Sequence, residues 1–220
     1  MDAIILAGGR SSRMEGALPK ILVEVKDNPL ISYQINYLSD KVERIILALG
    51  YKAGDIVNYV QAKYPQYQID FSVENSQLGT GGAIKKAMKM VKSDRVLVLN
   101  CDDLTDIDVA KLEGEKDNII CVAHPQLPFG LVKDEKGYAV FEEKPTLEDW
   151  VSCGWYVFNR NDMIDVLPDV GSIEYDVFPK IKLKLHKHEG YWRSFNTKKD
   201  VDAMEKEEMP DVFKEKEERV

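Results

Sequence analysis

The run Ala3-Ile4-Ile5-Leu6-Ala7 is an apolar strand of the buried type, and it stops abruptly on Gly8-Gly9. Similar β-branched runs recur and alternate with amphipathic segments, the pattern of strands that cross to helices and return in an α/β sheet. In the first half the spacing predicts strands over residues 4–7, 45–49, 68–73 and 96–100, with helices over 30–38, 54–64 and 81–91. The second half is denser in strands, at 119–123, 130–133, 138–142 and 153–158, which adds hairpins to a mixed sheet. Helical patterns return over 174–185 and 197–209. No repeat or low-complexity linker divides the chain, so the expected organisation is one catalytic domain over 1–209 and a charged tail over 210–220.

The loop after the first strand is chemically specific. Gly8 and Gly9 let the backbone turn sharply and approach a ligand, and Ser11 and Ser12 keep the loop small while offering hydroxyls. Arg10, Arg13 and Lys20 add positive charge. Successive N–H groups and guanidinium donors at a strand end suit a polyphosphate. The loop is neither a P-loop, since GxxxxGK[ST] is absent, nor a GxGxxG dinucleotide turn.

Composition narrows the partners. A formal net charge of −8 over 220 residues argues against general nucleic-acid binding, which draws on clustered Lys and Arg. No apolar stretch approaches a membrane span, and no signal peptide precedes the first strand. Cys101, Cys121 and Cys153 have no metal or redox spacing and read as reduced thiols of a cytoplasmic protein. His186 and His188 read as an exposed strand surface, and His124, before Pro125, as a loop residue.

The order Gly8-Gly9-Arg10-Ser11-Ser12-Arg13, followed by Pro19-Lys20, resembles the sugar-1-phosphate nucleotidyltransferases, which make nucleotide sugars from nucleoside triphosphates. Further blocks keep that family's order. Leu78-Gly79-Thr80-Gly81-Gly82-Ala83 is similar to its LGTxGA segment, and Asn100-Cys101-Asp102 to its N-G-D. Phe129-Gly130 with Phe141-Glu142-Glu143-Lys144-Pro145 resembles YG…FxEKP, and Ser152-Cys153-Gly154 opens the glycine-containing strand that comes next. The resemblance implies a Rossmann-like nucleotidyltransferase fold with a mixed, mostly parallel central sheet flanked by helices. It also implies transfer of a nucleotidyl group to a sugar 1-phosphate with release of pyrophosphate.

The same resemblance implies the site roles. Leu6, Ala7, Gly8, Gly9, Arg10, Ser11, Ser12, Arg13, Lys20, Gln77, Gly79, Thr80 and Gly81 would bind the nucleotide. Gly130, Glu143, Lys144, Ser152 and Gly154 would bind the sugar phosphate. Arg13, Lys20 and Asp102 would be catalytic, with Asp102 holding Mg²⁺. The family's second metal aspartate falls on Ser194 or Asn196 in Gly190-Tyr191-Trp192-Arg193-Ser194-Phe195-Asn196-Thr197, so Asn196 is the second candidate ligand. Asp103, Asp200 or the triphosphate could compensate for the missing charge. Asp103 and Asp106 otherwise read as helix caps or surface acids.

The base stays open. LGTGGAIKKA and the Leu99–Asp108 run are closest to bacterial mannose or heptose 1-phosphate guanylyltransferases, whereas His188–Thr197 is closer to glucose-1-phosphate cytidylyltransferases. GTP is favoured, with CTP or UTP allowed. The alternative is a nucleotide- or sugar-nucleotide-binding member with weakened or lost turnover. A stand-alone transferase is expected, with room for a homodimer.

Overall fold

The computed structural model describes residues 1–9 and 18–213. Four strands, β1 (Asp2–Ala7), β4 (Arg44–Leu49), β5 (Ile69–Val73) and β6 (Arg95–Asn100), run parallel in the spatial order β5-β4-β1-β6. β11 (Val151–Asn159) lies antiparallel on β6, β8 (Ile119–Ala123) antiparallel on β11, and β12 (Lys184–Lys187) parallel to β8. The result is a seven-stranded sheet with β11 the single reversed strand.

Alternation along the strands divides the core into two layers. Ala3, Ile5, Leu47, Leu97 and Leu99 pack on one face with Leu30, Ile31 and Ile35 of α1 (Leu30–Leu38) and with Ile56 and Val60 of α2 (Ala53–Lys63). Ile4, Ile46, Val98 and Tyr156 pack on the other with Ile84, Ala87 and Met88 of α3 (Gly79–Met88) and with Met163 of α5 (Arg160–Ile164). Helices on both faces explain why β1 and β6 are apolar on both sides. The chain leaves β1 toward β4 and β5, then returns to β6 on the opposite side of β1. The carboxyl ends of β1 and β6 therefore diverge in connectivity while adjacent in space, which is where open α/β sheets bind ligands.

Short strands complete the fold: a β2–β3 ribbon (Glu24–Val25 and Asn28–Pro29), an exposed β9–β10 hairpin (Leu131–Glu135 and Tyr138–Glu142), and β7 (Asp103–Thr105) paired antiparallel with β13 (Trp192–Ser194). α4 (Val109–Glu113) is capped by Asp108, whose side chain accepts from Ala110 and Lys111 amides. α7 (Lys198–Met204) starts on Thr197, which forms a capping box with Asp200. Phe213 is buried against Tyr33, Tyr37 and Tyr191, so the packed body runs on to that residue.

The helix expected over 174–185 does not form. It is replaced by the four-residue α6 (Ile173–Asp176), a 3-10 turn at Phe178–Lys180 and the strand β12. Pro179 supplies no N–H to an α-helical ladder, and the alternation Ile181-Lys-Leu-Lys-Leu-His-Lys187 has the period of a strand.

The glycines opening α3 are demanded by packing. The Gly81 amide donates to the Gly171 carbonyl at 2.9 Å and the Gly171 amide to Leu78 at 2.8 Å. Gly79 has φ +72°, and a Cβ there would collide with the Gly171 carbonyl; at Gly82 it would lie 2.5 Å from the Asp169 carbonyl. We expect Gly79→Ala to cost roughly 2–4 kcal/mol by urea denaturation, combining left-handed strain with overpacking. Gly54→Ala, with nothing within 4 Å of the added Cβ, should instead stabilise α2 by up to about 1 kcal/mol.

Candidate active site

Lys20, Asp102 and Asn196 come from three distant segments and meet at the crevice between the ends of β1 and β6. The Lys20 ammonium pairs with Asp102 Oδ2 and donates to Asn196 Oδ1 at 3.1 Å. Each segment has its own anchor. Lys20 opens the 3-10 turn Lys20–Leu22, which the fully buried Ile21 pins to the core. Asp102 sits in the turn between β6 and β7, where the Cys101 amide donates to the Leu6 carbonyl at 3.2 Å and the Gln34 side chain donates to the carbonyls of Asn100 (2.8 Å) and Asp103 (3.2 Å). Asn196 is held by buried Phe195, whose amide donates to the Asp102 carbonyl at 2.8 Å, and by Asp200, which accepts the Asn196 amide at 3.0 Å.

Asp200 is thus committed to the start of α7, accepting also from the Thr197 amide at 2.7 Å and hydroxyl at 2.9 Å. Asp103 and Asp106 are not caps. Asp103 lies in β7 with only 5% exposure, and Asp106 pairs with His188 Nε2 at 2.8 Å and accepts the Tyr191 amide at 2.8 Å. The cause is the β7–β13 ladder, in which Asp103 faces Ser194 across the pair and becomes an interior link, while Asp106, 31% exposed, ties the end of β7 to His188 and Tyr191.

Asp103 accepts from Asn100 Nδ2 and Trp192 Nε1, both at 3.1 Å, and lies opposite Ser194 in the β7–β13 ladder. Gly154, at φ +75° beside an irregularity in the β8–β11 pairing, makes the room: a Cβ there would strike Asp103 Oδ2 and come within 2.6 Å of Asn100 Nδ2. Burial and then the Asp102 charge push the Asp103 carboxyl up to about 7, against the hydrogen bonds from Asn100 and Trp192 that favour its ionised form. The Cys101 thiol is pushed up by burial and stays a neutral filler.

The remaining candidates fall into three groups. Leu6, Ala7, Gly8 and Gly9 line the end of β1, and the Gly8 carbonyl accepts the Tyr51 amide at 3.2 Å. Glu74 bridges this end to α3, accepting the Leu78 amide at 3.2 Å while its other oxygen would lie 3.3 Å from a Cβ on Gly8. Gly79, Thr80 and Gly81 begin α3, with Thr80 Oγ1 accepting the Ile173 amide at 2.9 Å and donating to Glu174 at 3.2 Å, and Gln77 is exposed just before them. Gly130 packs under the Phe141 ring, and Glu143 and Lys144 are exposed after the hairpin; no hydrogen bond or ion pair among the described residues joins these three to Lys20 or Asp102. Ser152 Oγ bonds the Tyr156 hydroxyl at 3.0 Å. Arg10, Ser11, Ser12 and Arg13 lie outside the described residues.

Gln34, Glu74 and Trp192 are supporting residues that the sequence did not single out. A lone Gln on an apolar helix carries no signal of its own, and the partners of Trp192 become visible only with the ladder. Among the described residues no group of three His, Cys, Asp or Glu side chains could hold a metal. The Asp102 carboxylate and the Asn196 carbonyl nonetheless already share a cation, the Lys20 ammonium, and such hard oxygen donors fit Mg²⁺, which takes one or two carboxylates and completes its shell from phosphates and water.

The raised Asp103 carboxyl makes a signed prediction. Because its folded-state pKa lies above the ordinary 3.8, its contribution to stability is fullest below that value and is lost as pH rises through about 7. Asp103→Asn removes the titration, so its melting temperature should gain on the parent's between about pH 5 and about pH 8. Parallel curves would contradict the assigned environment.

Residues 3–126, more than half of the chain, match the MobA-like NTP transferase domain. The D-glycero-alpha-D-manno-heptose 1-phosphate guanylyltransferase of Campylobacter jejuni is 36% identical over 154 residues, 66% of this chain and 69% of the relative. The enzyme of the same name from Aneurinibacillus thermoaerophilus is 36% identical over 173 residues, 73% and 75% of the two chains. In three dimensions, HddC from Yersinia pseudotuberculosis, solved in complex with GMP-PN, superposes with a TM-score of 0.77 at 28% identity, covering 93% of this chain and 98% of that one. The chain belongs to the MobA-like NTP transferase family, among its sugar-1-phosphate nucleotidyltransferases.

Proposed function

We propose that this protein transfers a guanylyl group from GTP to a hexose- or heptose-class sugar 1-phosphate, releasing pyrophosphate, in the cytoplasm. The observation that carries the reading is the meeting of Lys20, Asp102 and Asn196 at the carboxyl ends of β1 and β6. The guanine preference rests on the guanylyltransferase names of the relatives and on the GMP-PN complex of HddC.

Both reactants are anions, so the task is to neutralise and align them. A sugar 1-phosphate oxygen attacks the α-phosphorus in line with the departing pyrophosphate. No general base is needed, because a phosphate monoester is already ionised. Asp102 and Asn196 would hold Mg²⁺, which when bound offsets phosphate charge. Lys20, paired with Asp102 in the structure, would exchange that partner for triphosphate oxygens. Arg13 is assigned to the leaving pyrophosphate, and the glycine backbone at 8–9 and 79–81 to the nucleotide. Gly130, Glu143, Lys144, Ser152 and Gly154 are assigned to the sugar phosphate on motif position alone.

Pyrophosphate release, assayed with Mg²⁺ over crossed panels of nucleoside triphosphates and sugar 1-phosphates, tests the reading. The highest kcat/KM should fall on GTP with a mannose- or heptose-type 1-phosphate. Binding without turnover in any combination would leave only the nucleotide-binding alternative. Asp102→Asn and Lys20→Met should each lower kcat by about 10²- to 10³-fold, the usual cost of removing one electrostatic contact to a reacting group.

A further inference from the structure

The turn Cys101–Asp102 joins β6 to β7, and one buried carboxamide spans it. Gln34 Nε2 donates to the Asn100 carbonyl at 2.8 Å and to the Asp103 carbonyl at 3.2 Å, so a single nitrogen brackets Asp102 on both sides. Gln34 is only 1% exposed, and its neighbours one turn away on α1, Leu30, Tyr37 and Leu38, are all buried. The carboxamide can face only one way, because the reverse would set its oxygen against two carbonyl oxygens. Its Oε1 is buried with no hydrogen-bond partner among the described residues. An unpartnered buried oxygen costs stability, so packing alone would be served as well by an unbranched apolar side chain of the same length. What the amide adds to packing is a fixed spacing of the two carbonyls around Asp102.

We infer that Gln34 is a positioning residue that holds the Asp102 carboxylate at the cation position by fastening the backbone on either side of it to α1. The inference rests on the reading of Asp102 as the cation-facing carboxylate. The Asn100 Nδ2–Asp103 Oδ2 bond at 3.1 Å closes the turn on itself, and Gln34 ties the closed turn to a helix fixed in the core. Trp155 Nε1 also reaches the Asp103 carbonyl, at 3.4 Å, so loss of Gln34 frees the Asn100 side of the turn more than the Asp103 side. The same helix holds the other half of the pair. At its head the Leu30 amide donates to the Val23 carbonyl at 3.0 Å, directly after the Lys20–Leu22 turn. One helix therefore sets the spacing between Lys20 and Asp102.

Gln34→Met keeps the length and the unbranched stem and removes the amide. Mn²⁺ serves as the probe, since it takes the same oxygen ligands as Mg²⁺ and is detected by EPR without turnover. Its affinity is titrated on the full chain with GTP present, for the parent, Gln34→Met, Asp102→Asn and the double variant. Gln34→Met should weaken Mn²⁺ binding about 10-fold or more, the usual effect of losing a group that orients a ligand. Its melting temperature should move by less than about 4 °C, and its affinity for GTP in EDTA should not change. Turnover should show the same split, with kcat about 10-fold lower at an unchanged KM for the sugar 1-phosphate. In the Asp102→Asn background the substitution should change Mn²⁺ affinity by less than about 3-fold, because the group it positions is gone.

Unchanged Mn²⁺ affinity in Gln34→Met, or an equal loss with and without the Asp102 carboxylate, would overturn the inference. A joint fall in melting temperature and in GTP affinity would overturn it too, since Gln34 would then be a core residue and nothing more. If Gln34→Met does not fold by circular dichroism, Gln34→Leu decides in its place, and failure of both to fold has the same meaning as that joint fall. The pyrophosphate assay run on the parent separates the two claims. Normal turnover with no variant effect on Mn²⁺ removes the role of Gln34 and keeps the enzyme reading; the predicted Mn²⁺ pattern without turnover does the reverse.

Discussion

A lysine ammonium and an aspartate carboxylate, 82 residues apart in sequence, pair at the seam where the chain reverses its direction of travel across the sheet. Both side chains are largely withdrawn from solvent, with exposures of 18% and 16%. Removing one partner of such a pair leaves the other uncompensated, at a cost that reaches about 3–5 kcal/mol when the charge is fully buried. The crevice is therefore arranged around a place that must hold a cation. In the structure that cation is Lys20; a metal with phosphate oxygens could take its place and release the lysine to the triphosphate.

The β7–β13 ladder brings the last part of the chain to this seam. Phe195 bonds the Asp102 carbonyl, Asn196 reaches Lys20, Trp192 donates to Asp103, and Ser194 lies opposite Asp103 in the ladder. A three-residue ladder contributes little by itself, but buried Leu104, Thr105 and Phe195 lock its register, and a slip of one residue would turn Ser194 away from Asp103. Gln34 and Gly154 support the same loop from the two core layers, one by bonding its carbonyls and the other by withholding a side chain. Packing and chemistry are set by the same residues here.

Much of this was legible in the sequence. The parallel half announced itself by apolar runs and amphipathic periods, and α1 occupies the very residues its pattern indicated. Lys20, Asp102 and Asn196 were readable as parts of one site from motif order, and the structure brings these three together. The hidden parts all depend on long-range pairing. Asp-Leu-Thr and Trp-Arg-Ser are too short to show a strand period, so Asp103 read as a surface acid, although a glycine at 154 and a second acid beside Asp102 were its available signals. β12 was obscured because residues 174–185 were read with one helical period across Pro179, where the pattern changes to alternation.

One position, shared by Lys20, Asp102 and Asn196, is on this account where the reacting phosphates are neutralised. A crystal grown with GTP and Mn²⁺, measured at the manganese absorption edge, tests that claim most directly. The expected result is an anomalous peak bonded to Asp102 and Asn196 oxygens, with the Lys20 ammonium moved onto the triphosphate. A peak elsewhere, with the Lys20–Asp102 pair intact beside bound nucleotide, would contradict it.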